Sequence, residues 1–435
     1  MVGVTDNPPE SADDRGEETM HFRKISAALC FALVGLFASA QRAPAASDTI
    51  KIGYIDPFSG PFAQSGDQFL QVLHFIVDDI NTRMPPLGKK FEIVTFDDKL
   101  QPSEALIALK RVTDQAIPFV MQCVGSNVGT ALIEGVSKNN ERNPDHRVIY
   151  LNCGALATEL TNAPLCNFWQ FRFTGSVEQR AYARIKSLPA DVKKVYLINQ
   201  DYVFGHSIEH DTKKFLQQLR PDIEIVGDEY VPLGQVKDFS PYITKIKNTG
   251  AQSIVTGNYG PDLNLLMKAA SDSGLPIRFD TYLAYLTSAV TAIGPMGADR
   301  MTVVMEYNEN LPVELNIPAA EKLDLAFRKD HKFDFVAQPW VVMFEMLSRA
   351  ITQAGSVDVL KIAQNLEGMQ QQDLLGKTET MRKADHQLIL PYYEGLLTKD
   401  VKYDTEGTGL GFKTIFTVPS EDEELATTCA MKRPS

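Results

Sequence analysis

Residues 50–80 read IKIGYIDPFSGPFAQSGDQFLQVLHFIVDDI and show the structural unit on which the predicted fold class is based. It begins with an apolar, β-branched run at residues 50–55, which predicts a strand. A loop containing Gly and Ser follows. Apolar residues then recur from Phe69 to Ile80 at spacings of 4, 3 and 4, the pattern of one face of a helix. A strand joined through a short loop to an amphipathic helix is the repeating unit of an α/β fold.

The same unit recurs in two series along the chain. Further strands are predicted at residues 91–96, 119–124 and 147–152 in the first series, and at 194–198, 223–230, 253–257 and 278–282 in the second. Helices are predicted at 104–113, 128–138, 206–219, 239–247, 263–273, 319–329 and 340–353. Because strands and helices alternate, the sheets should be parallel and covered on both faces. Two series predict two doubly wound, Rossmann-like lobes.

Length and composition place the chain among ordinary globular proteins. It has 435 residues, enough for two or three domains, with 44% apolar and 23% charged residues. The formal net charge is −12, and Lys and Arg form no cluster. Nucleic acid is therefore not expected as a partner, because phosphate neutralisation needs clustered cations.

The amino-terminal segment predicts export. Arg23 and Lys24 precede an apolar run at residues 25–38, and small residues follow it, which is typical of a secretory signal peptide that starts near Met20. The run has 14 residues and would span only about 21 Å as a helix, less than the roughly 30 Å hydrocarbon core of a bilayer. We expect the polar extension and signal peptide at residues 1–46 to be removed and the product to be periplasmic.

Four cysteines follow this leader, at positions 123, 153, 166 and 429. Without a C-x-x-C motif or neighbouring histidines, they do not predict a metal site. In an oxidising compartment, Cys153 and Cys166, which are 13 residues apart around a polar loop, are the candidate disulfide pair. The alternative is that Cys153 is a small buried apolar residue at the end of a strand.

Motifs in the loops after the predicted strands point to a family. They read S-G-P-F-A-Q-S-G-D-Q at 59–68, F-D-D-K-L-Q-P-S-E-A at 96–105, G-S at 125–126, A-T-E-L-T at 157–161 and D-Y-V-F-G at 201–205. In this order they resemble the periplasmic branched-chain amino-acid-binding proteins, the solute receptors of ABC importers with the type I binding-protein fold. The resemblance extends from about residue 49 to about residue 418.

The resemblance implies two α/β lobes joined by three hinge crossovers, with a small-molecule ligand in the cleft between them. The implied boundaries are 47–174 and 287–407 for lobe 1, 175–286 and 408–435 for lobe 2, and crossovers near Phe173, Tyr285 and Gly407. It further implies a monomeric protein that binds an amino acid without catalysis or cofactor and delivers it to an ABC importer permease in the membrane.

The resemblance also implies ligand contacts. Ser126 matches a serine that holds the ligand carboxylate, and a hydroxyl at a helix N-terminus suits an anion, although Ser126 is alternatively only an N-cap. Asp262 matches the family's glutamate for the ligand ammonium, or is alternatively an acidic residue in the first turn of a helix. Backbone amides near Gly154 would also hold the carboxylate. The remaining expected contacts are Ser65, Asn127, Ala155, Leu156, Tyr202, Phe204, Tyr259 and Tyr285.

Departures from the family pattern leave the ligand and the role open. Leu156 replaces a hydroxyl residue, Ser65 replaces an aromatic one, and Phe204 replaces a tyrosine, so an aromatic or aliphatic carboxylic acid is an alternative ligand. A sensor domain for a signalling partner is an alternative role. Residues 206–210 fit H-x-x-E-H, the pattern of inverted zinc proteases. Both histidines fall opposite the apolar face of their predicted helix, which favours a solvated surface over a zinc hydrolase.

Overall fold

The computed structural model describes residues 49–286 and 288–434, and the predicted extension and signal peptide at 1–46 lie outside them. The first part of the chain alternates strands and helices: β1 (Thr49–Asp56), α1 (Ala63–Arg83), β2 (Lys90–Asp97), α2 (Pro102–Asp114), β3 (Phe119–Gln122), α3 (Ser126–Arg142), β4 (Ile149–Asn152) and β5 (Gln170–Arg172). The five strands form one parallel sheet in the order β2-β1-β3-β4-β5. This is the sheet of the first lobe.

The second part repeats this alternation. It comprises α4 (Val177–Ser187), β6 (Lys194–Gln200), α5 (Val203–Leu219), β7 (Glu224–Val231), α6 (Ser240–Thr249), β8 (Ser253–Thr256), α7 (Gly260–Ser273), β9 (Arg278–Thr281), α8 (Ala289–Ile293) and β10 (Met301–Met305). The third part contains α9 (Leu311–Glu314), α10 (Pro318–Asp330), α11 (Gln338–Ala354), α12 (Val359–Leu366), β11 (Gln370–Gln372), β12 (Thr378–Met381), β13 (Leu388–Ile389), β14 (Tyr392–Thr398) and β15 (Gly411–Val418). No described helix is both long and apolar enough to cross a membrane.

The second lobe is built on a sheet of seven strands in the order β15-β14-β10-β9-β8-β6-β7. Strands β6 to β10 are parallel, whereas β14 pairs antiparallel with both β10 and β15. Helices of the third part return to the first lobe, where Phe327 of α10 packs on Phe75 of α1 and Trp340 of α11 packs on Phe69, with ring centroids 5.2 and 5.1 Å apart. The predicted two-lobed α/β fold is confirmed.

The crossovers between the lobes differ in part from the expected ones. The first follows β5 near Phe173, as expected. The second lies between β10 and α10 and the third between β13 and β14, not near Tyr285 and Gly407. The reason is that β10 and β14, expected within lobe 1 at residues 287–407, pair with each other and with β9 and β15 in the sheet of lobe 2.

Two disulfides are present, and the predicted pairing of Cys153 with Cys166 is wrong. Cys123 bonds to Cys153, and Cys166 bonds to Cys429. The strand register explains the first bond. Gln122 at the end of β3 lies opposite Asn152 at the end of β4, so the two cysteines that follow are adjacent, with Cα atoms 4.6 Å apart.

The chain beyond β15 returns from lobe 2 to lobe 1 as a strap, residues 419–434. The Cys166–Cys429 disulfide bonds this strap to the loop before β5. The Thr428 amide donates to Asn162 Oδ1 at 2.8 Å, and Arg433 pairs with Glu367 at 2.8 Å. The strap is therefore a fourth, covalently closed connection between the lobes.

Replacing both cysteines of the strap, Cys166→Ser with Cys429→Ser, should lower the free energy of unfolding by about 2–5 kcal/mol. The disulfide closes a loop with a sequence separation of 263, so its loss releases much chain entropy in the unfolded state. Denaturant titration of the two proteins measures the difference. Cys123→Ser with Cys153→Ser opens a separation of only 30 and should cost less; equal midpoints for wild type and the strap variant would contradict the expectation.

Candidate ligand-binding site

The strand order of each sheet reverses direction once, between β1 and β3 in lobe 1 and between β6 and β8 in lobe 2. At such a point the loops after neighbouring strands run to opposite sides of the sheet and leave a crevice at the carboxyl ends of the strands. Ser126 follows β3, and Tyr202 and Tyr259 follow β6 and β8. All of them line one cavity, so the two crevices face each other.

About 680 Å³ of space, part of it open to solvent, lies between the lining residues of this cavity. Most of the predicted site residues line it: Ser65, Ser126, Gly154, Leu156, Tyr202, Phe204, Tyr259 and Tyr285. Asn127, Ala155 and Asp262 do not. Lining residues that the sequence analysis missed are Phe69, Cys123, Val124, Gly125, Cys153, Thr174, Arg180, Leu283, Leu286, Glu306, Val336, Ala337, Pro339 and Trp340.

Ser126 presents a hydrogen-bond donor to the cavity. It is the first residue of α3, and the N-cap position before it is Gly125, so Ser126 is not the N-cap. Its Oγ accepts a hydrogen bond from the Ala157 amide at 3.1 Å, which leaves the hydroxyl proton to donate to another group. The amides of the first helical turn have no partners within the helix, and they carry the positive end of its dipole. This arrangement suits a carboxylate.

The loop before α3 requires glycine at position 125. Gly125 has φ +93°, and a Cβ there would lie 2.3 Å from the Leu100 side chain. Asp56, at the end of β1, holds the same loop in place, since its Oδ1 accepts hydrogen bonds from the Cys123 and Val124 amides at 3.0 and 2.9 Å. The wall that carries Ser126 is therefore fixed by buried hydrogen bonds.

Buried carboxyl groups lie beneath this wall. Burial raises the pKa of Asp56 to about 7, although hydrogen bonds from Tyr54 and the loop amides oppose the shift. Burial, together with the charge of Asp56, raises the pKa of Asp98 from 3.8 to about 8. Asp98 Oδ1 accepts the Leu100 amide at 2.7 Å, and no described atom bonds to Oδ2.

The backbone amides expected to hold a carboxylate near Gly154 are already engaged. Gly154 and Ala155 donate to Asn152 Oδ1 at 3.2 and 2.9 Å, and Asn152 Nδ2 donates to the Ala155 carbonyl at 2.9 Å. The side chain of Asn152 thus closes a turn at the end of β4. These amides would have to break those bonds to contact a ligand.

Asp262 is fully buried outside the lining of the cavity. Its Oδ2 accepts Gln200 Nε2 at 2.7 Å and the Gly234 amide at 2.8 Å. Burial raises its pKa, and the hydrogen bonds from Gly234 and Gln200 oppose the shift. Through Gln200, which also donates to the Tyr259 carbonyl, Asp262 supports the loop of Tyr259, and its Oδ1 has no partner among the described residues.

The charged groups that do line the cavity are Arg180 of α4 and Glu306, directly after β10. Arg180 Nη2 donates to both Glu306 oxygens at 2.6 Å, and the side chains are only 1% and 6% exposed. Burial lowers the pKa of Arg180, but the charge of Glu306 outweighs it and the pKa is raised. The sequence analysis recognised neither element. The capping box of Ser176 and Gln179 was an available signal for the start of α4.

Aromatic side chains, aliphatic side chains and one disulfide form most of the remaining wall. The hydroxyls of Tyr202 and Tyr259 lie 3.3 Å apart, and Trp340 Nε1 donates to the Cys153 carbonyl at 2.8 Å. Phe204 packs on Tyr259 with ring centroids 6.2 Å apart. The cavity therefore combines an apolar interior with a few polar groups in fixed positions.

The two histidines of the H-x-x-E-H pattern lie away from the cavity. His206 contacts Asp201 at 2.8 Å and His210 contacts Asp211 at 3.0 Å, and both histidine side chains are more than half exposed. Across residues 49–286 and 288–434, no group of three or more His, Cys, Asp or Glu side chains is placed to hold a metal ion.

Asp98→Asn should change how stability depends on pH. Because the folded-state pKa of Asp98 is raised to about 8, its contribution to stability is present below pH 4 and is lost as the pH rises through 8. Between these limits the free energy of unfolding of the wild type should fall relative to the variant, by at most about 1.4 kcal/mol per pH unit. Urea titrations across this range measure the slope.

Asp97→Asn is the matched control. Although burial raises the pKa of Asp97, hydrogen bonds from Ser59, Phe58 and Lys99 outweigh it and the net shift is downward. Its own contribution therefore changes only in more acidic solution, so the decline in stability between pH 4 and 8 should persist in this variant. Because the charge of Asp97 contributes to the raised pKa of Asp98, the decline should end at a slightly lower pH than in the wild type. Parallel slopes for the wild type and Asp98→Asn would show that the Asp98 carboxyl is not protonated in the folded state.

Three comparisons place this geometry among known proteins. Leu/Ile/Val-binding protein homolog 4 of Brucella melitensis biotype 1 is 28% identical over 414 residues, covering 91% of this chain and 95% of that protein. The leucine-, isoleucine-, valine-, threonine- and alanine-binding protein from Brucella ovis, in a closed conformation, superposes with a TM-score of 0.78 at 26% identity, over 89% of this chain and 100% of that one. A solute-binding protein of an ABC transporter from R. palustris, in complex with 4-hydroxybenzoate, superposes with a TM-score of 0.71 at 19% identity, over 86% and 98% of the two chains.

A family model covers most of the described residues. Residues 49–399 match the family described as periplasmic binding protein. The match spans both lobes and includes every loop that lines the cavity. The chain therefore belongs to the periplasmic binding protein family, and the predicted resemblance to its branched-chain amino-acid-binding members is confirmed.

Proposed function

We propose that this protein is the periplasmic solute receptor of an ABC importer, a binding protein without catalytic activity. Its solute is a small carboxylate with an apolar body, bound between the lobes and delivered to the permease. The observation that carries the proposal is the Ser126 hydroxyl at the N-terminus of α3, which faces a cavity walled mainly by aromatic and aliphatic side chains.

A branched-chain or related amino acid is the first candidate solute. The Brucella ovis relative is named for leucine, isoleucine, valine, threonine and alanine, and the B. melitensis relative is named a Leu/Ile/Val-binding protein homolog. The similarity of both extends over about nine-tenths of this chain. An aliphatic side chain would pack against Leu156 and Leu283, while the carboxylate would accept hydrogen bonds from Ser126 and the amides of α3.

An aromatic acid is the second candidate, and the composition of the cavity wall favours it. Tyr202, Phe204, Tyr259 and Trp340 surround the space, and aromatic rings pack edge to face on such a wall. Asp262, the expected partner of an ammonium, lies outside the lining. The R. palustris protein of the same fold is described in complex with 4-hydroxybenzoate.

Binding would act through closure of the lobes. A solute that contacts Ser126 in lobe 1 and Tyr259 in lobe 2 favours the closed form, because only that form makes both sets of contacts. The closed form would then be recognised by the permease. The signal-peptide pattern at residues 20–46 and the two disulfides support a periplasmic location, since disulfides persist in oxidising compartments.

A thermal-shift screen followed by calorimetry tests the proposal. Leucine, isoleucine, valine, benzoate and 4-hydroxybenzoate should be compared, and a true ligand at 100 times its Kd should add about 2.7 kcal/mol to the free energy of unfolding. Ser126→Ala should weaken the best ligand about 10- to 100-fold by removing a hydrogen bond to its carboxylate.

Ser103→Ala, an exposed position on α2, serves as the control and should bind like the wild type. Failure of every small carboxylate to bind would refute the proposed solute class. Unchanged affinity in Ser126→Ala would refute the assigned carboxylate position.

A further inference from the structure

Glu306 is the one acidic side chain among the described residues that line the cavity. Its two oxygens are used unequally. Oε1 accepts hydrogen bonds from Arg180, from Thr174 Oγ1 at 3.2 Å and from the Gly175 amide at 3.1 Å. Among the described residues, Oε2 accepts from Arg180 alone. Because a carboxylate oxygen has about two lone-pair sites, Oε2 has capacity for one more donor.

Tyr285 lies beside this pair and has a complementary capacity. Arg180 Nη2 donates to its hydroxyl oxygen at 3.5 Å, and the guanidinium lies 5.9 Å from the ring centroid. Among the described residues, the hydroxyl proton and one lone pair of Tyr285 therefore have no partner. Arg180 Nη1 is occupied, since it donates to the carbonyls of Tyr282 and Val304, both at 3.2 Å, whereas Arg180 Nε has no partner among the described residues.

We propose that Glu306 Oε2 and the Tyr285 hydroxyl form a second polar subsite, which binds a hydrogen-bond donor of the solute. The inference rests on the proposed function and narrows its solute class to monocarboxylates that also carry an ammonium or a hydroxyl group. Glu306 takes the role that the sequence pattern assigned to Asp262. A second carboxylate on the solute would meet the charge of Glu306, so dicarboxylates should be rejected.

The position of the subsite links solute binding to the hinge. Glu306 follows β10 at the second crossover, and its partners Thr174 and Gly175 lie at the first. A Cβ at Gly175 would lie 1.3 Å from the hydroxyl of Tyr392, a residue just after the third crossover. A donor bound to Oε2 thus contacts the point at which all three crossovers meet.

The subsite can be tested with two pairs of ligands, in each of which the two members differ mainly by one hydrogen-bond donor. Leucine and 4-methylpentanoate differ by the ammonium, and 4-hydroxybenzoate and benzoate differ by the hydroxyl. The wild type should bind the donor-bearing member of at least one pair about tenfold more tightly or better, measured by calorimetry. Glu306→Gln and Tyr285→Phe should each reduce this ratio by weakening the donor-bearing member.

Glu394→Gln is the matched control, because it removes the acidic partner of a buried ion pair that does not line the cavity. Glu394 pairs with Arg184, one turn along α4 from Arg180, and both are buried outside the cavity. This variant should lose stability and keep the ratio within about twofold of the wild type. Asp262→Asn should likewise keep the ratio.

Each outcome decides a different point. A wild type that binds both members of each pair equally overturns the subsite while the proposed function stands, and this measurement does not depend on whether Glu306→Gln folds. If the preference for the donor-bearing ligand is lost in Asp262→Asn but kept in Glu306→Gln and Tyr285→Phe, then Asp262 is the group that binds the donor, and the proposed subsite is also overturned. If no carboxylate binds the wild type, the proposed function fails with it.

Discussion

The buried ion pair between Arg180 and Glu306 is the interaction on which the shape of the cleft depends. Removing two charges from water is costly unless hydrogen bonds satisfy both groups. Here Glu306 also accepts from Thr174 and Gly175, and Arg180 Nη1 also donates to the carbonyls of Tyr282, directly after β9, and Val304 of β10. The compensation is possible only when the first two crossovers lie together. The pair therefore sets the relative position of the segments that carry both lobes.

The periodicity of apolar residues predicted much of the fold. Strands β1 to β4 and β6 to β9 each belong to a unit of one strand and one helix whose apolar pattern is visible in the local sequence. Periodicity failed where pairing is decided at long range. Strand β14 lies antiparallel between β10 and β15, and nothing local in residues 392–398 indicates those neighbours. Two crossovers were consequently misplaced. The Cys123–Cys153 disulfide, in contrast, could have been predicted from the sequence, since aligning the ends of β3 and β4 brings both cysteines together.

The site was predictable to the extent that loop position determines it. Residues directly after the central strands, such as Ser126 and Tyr202, line the cavity because the strand order leaves them at the crevice. Side-chain direction was not predictable from spacing. Asp262 lies in a loop that was expected to contact the ligand, yet hydrogen bonds from Gln200 and Gly234 hold its carboxylate outside the cavity lining. Glu306 is brought to the cavity by β10, an element that the sequence pattern did not reveal.

The two halves of the cleft are constrained to different degrees. In lobe 1 the Cys123–Cys153 disulfide joins the loops that carry Ser126 and Leu156, and Asp56 binds two amides of the first loop. In lobe 2, no disulfide among the described residues joins the Tyr202 and Tyr259 loops, which contact each other through ring packing of Phe204 on Tyr259 and through hydrogen bonds such as that between the two tyrosine hydroxyls. A rigid surface loses less entropy when a ligand docks. For the proposed receptor, this difference favours docking of the carboxylate on lobe 1 before lobe 2 closes over the apolar body.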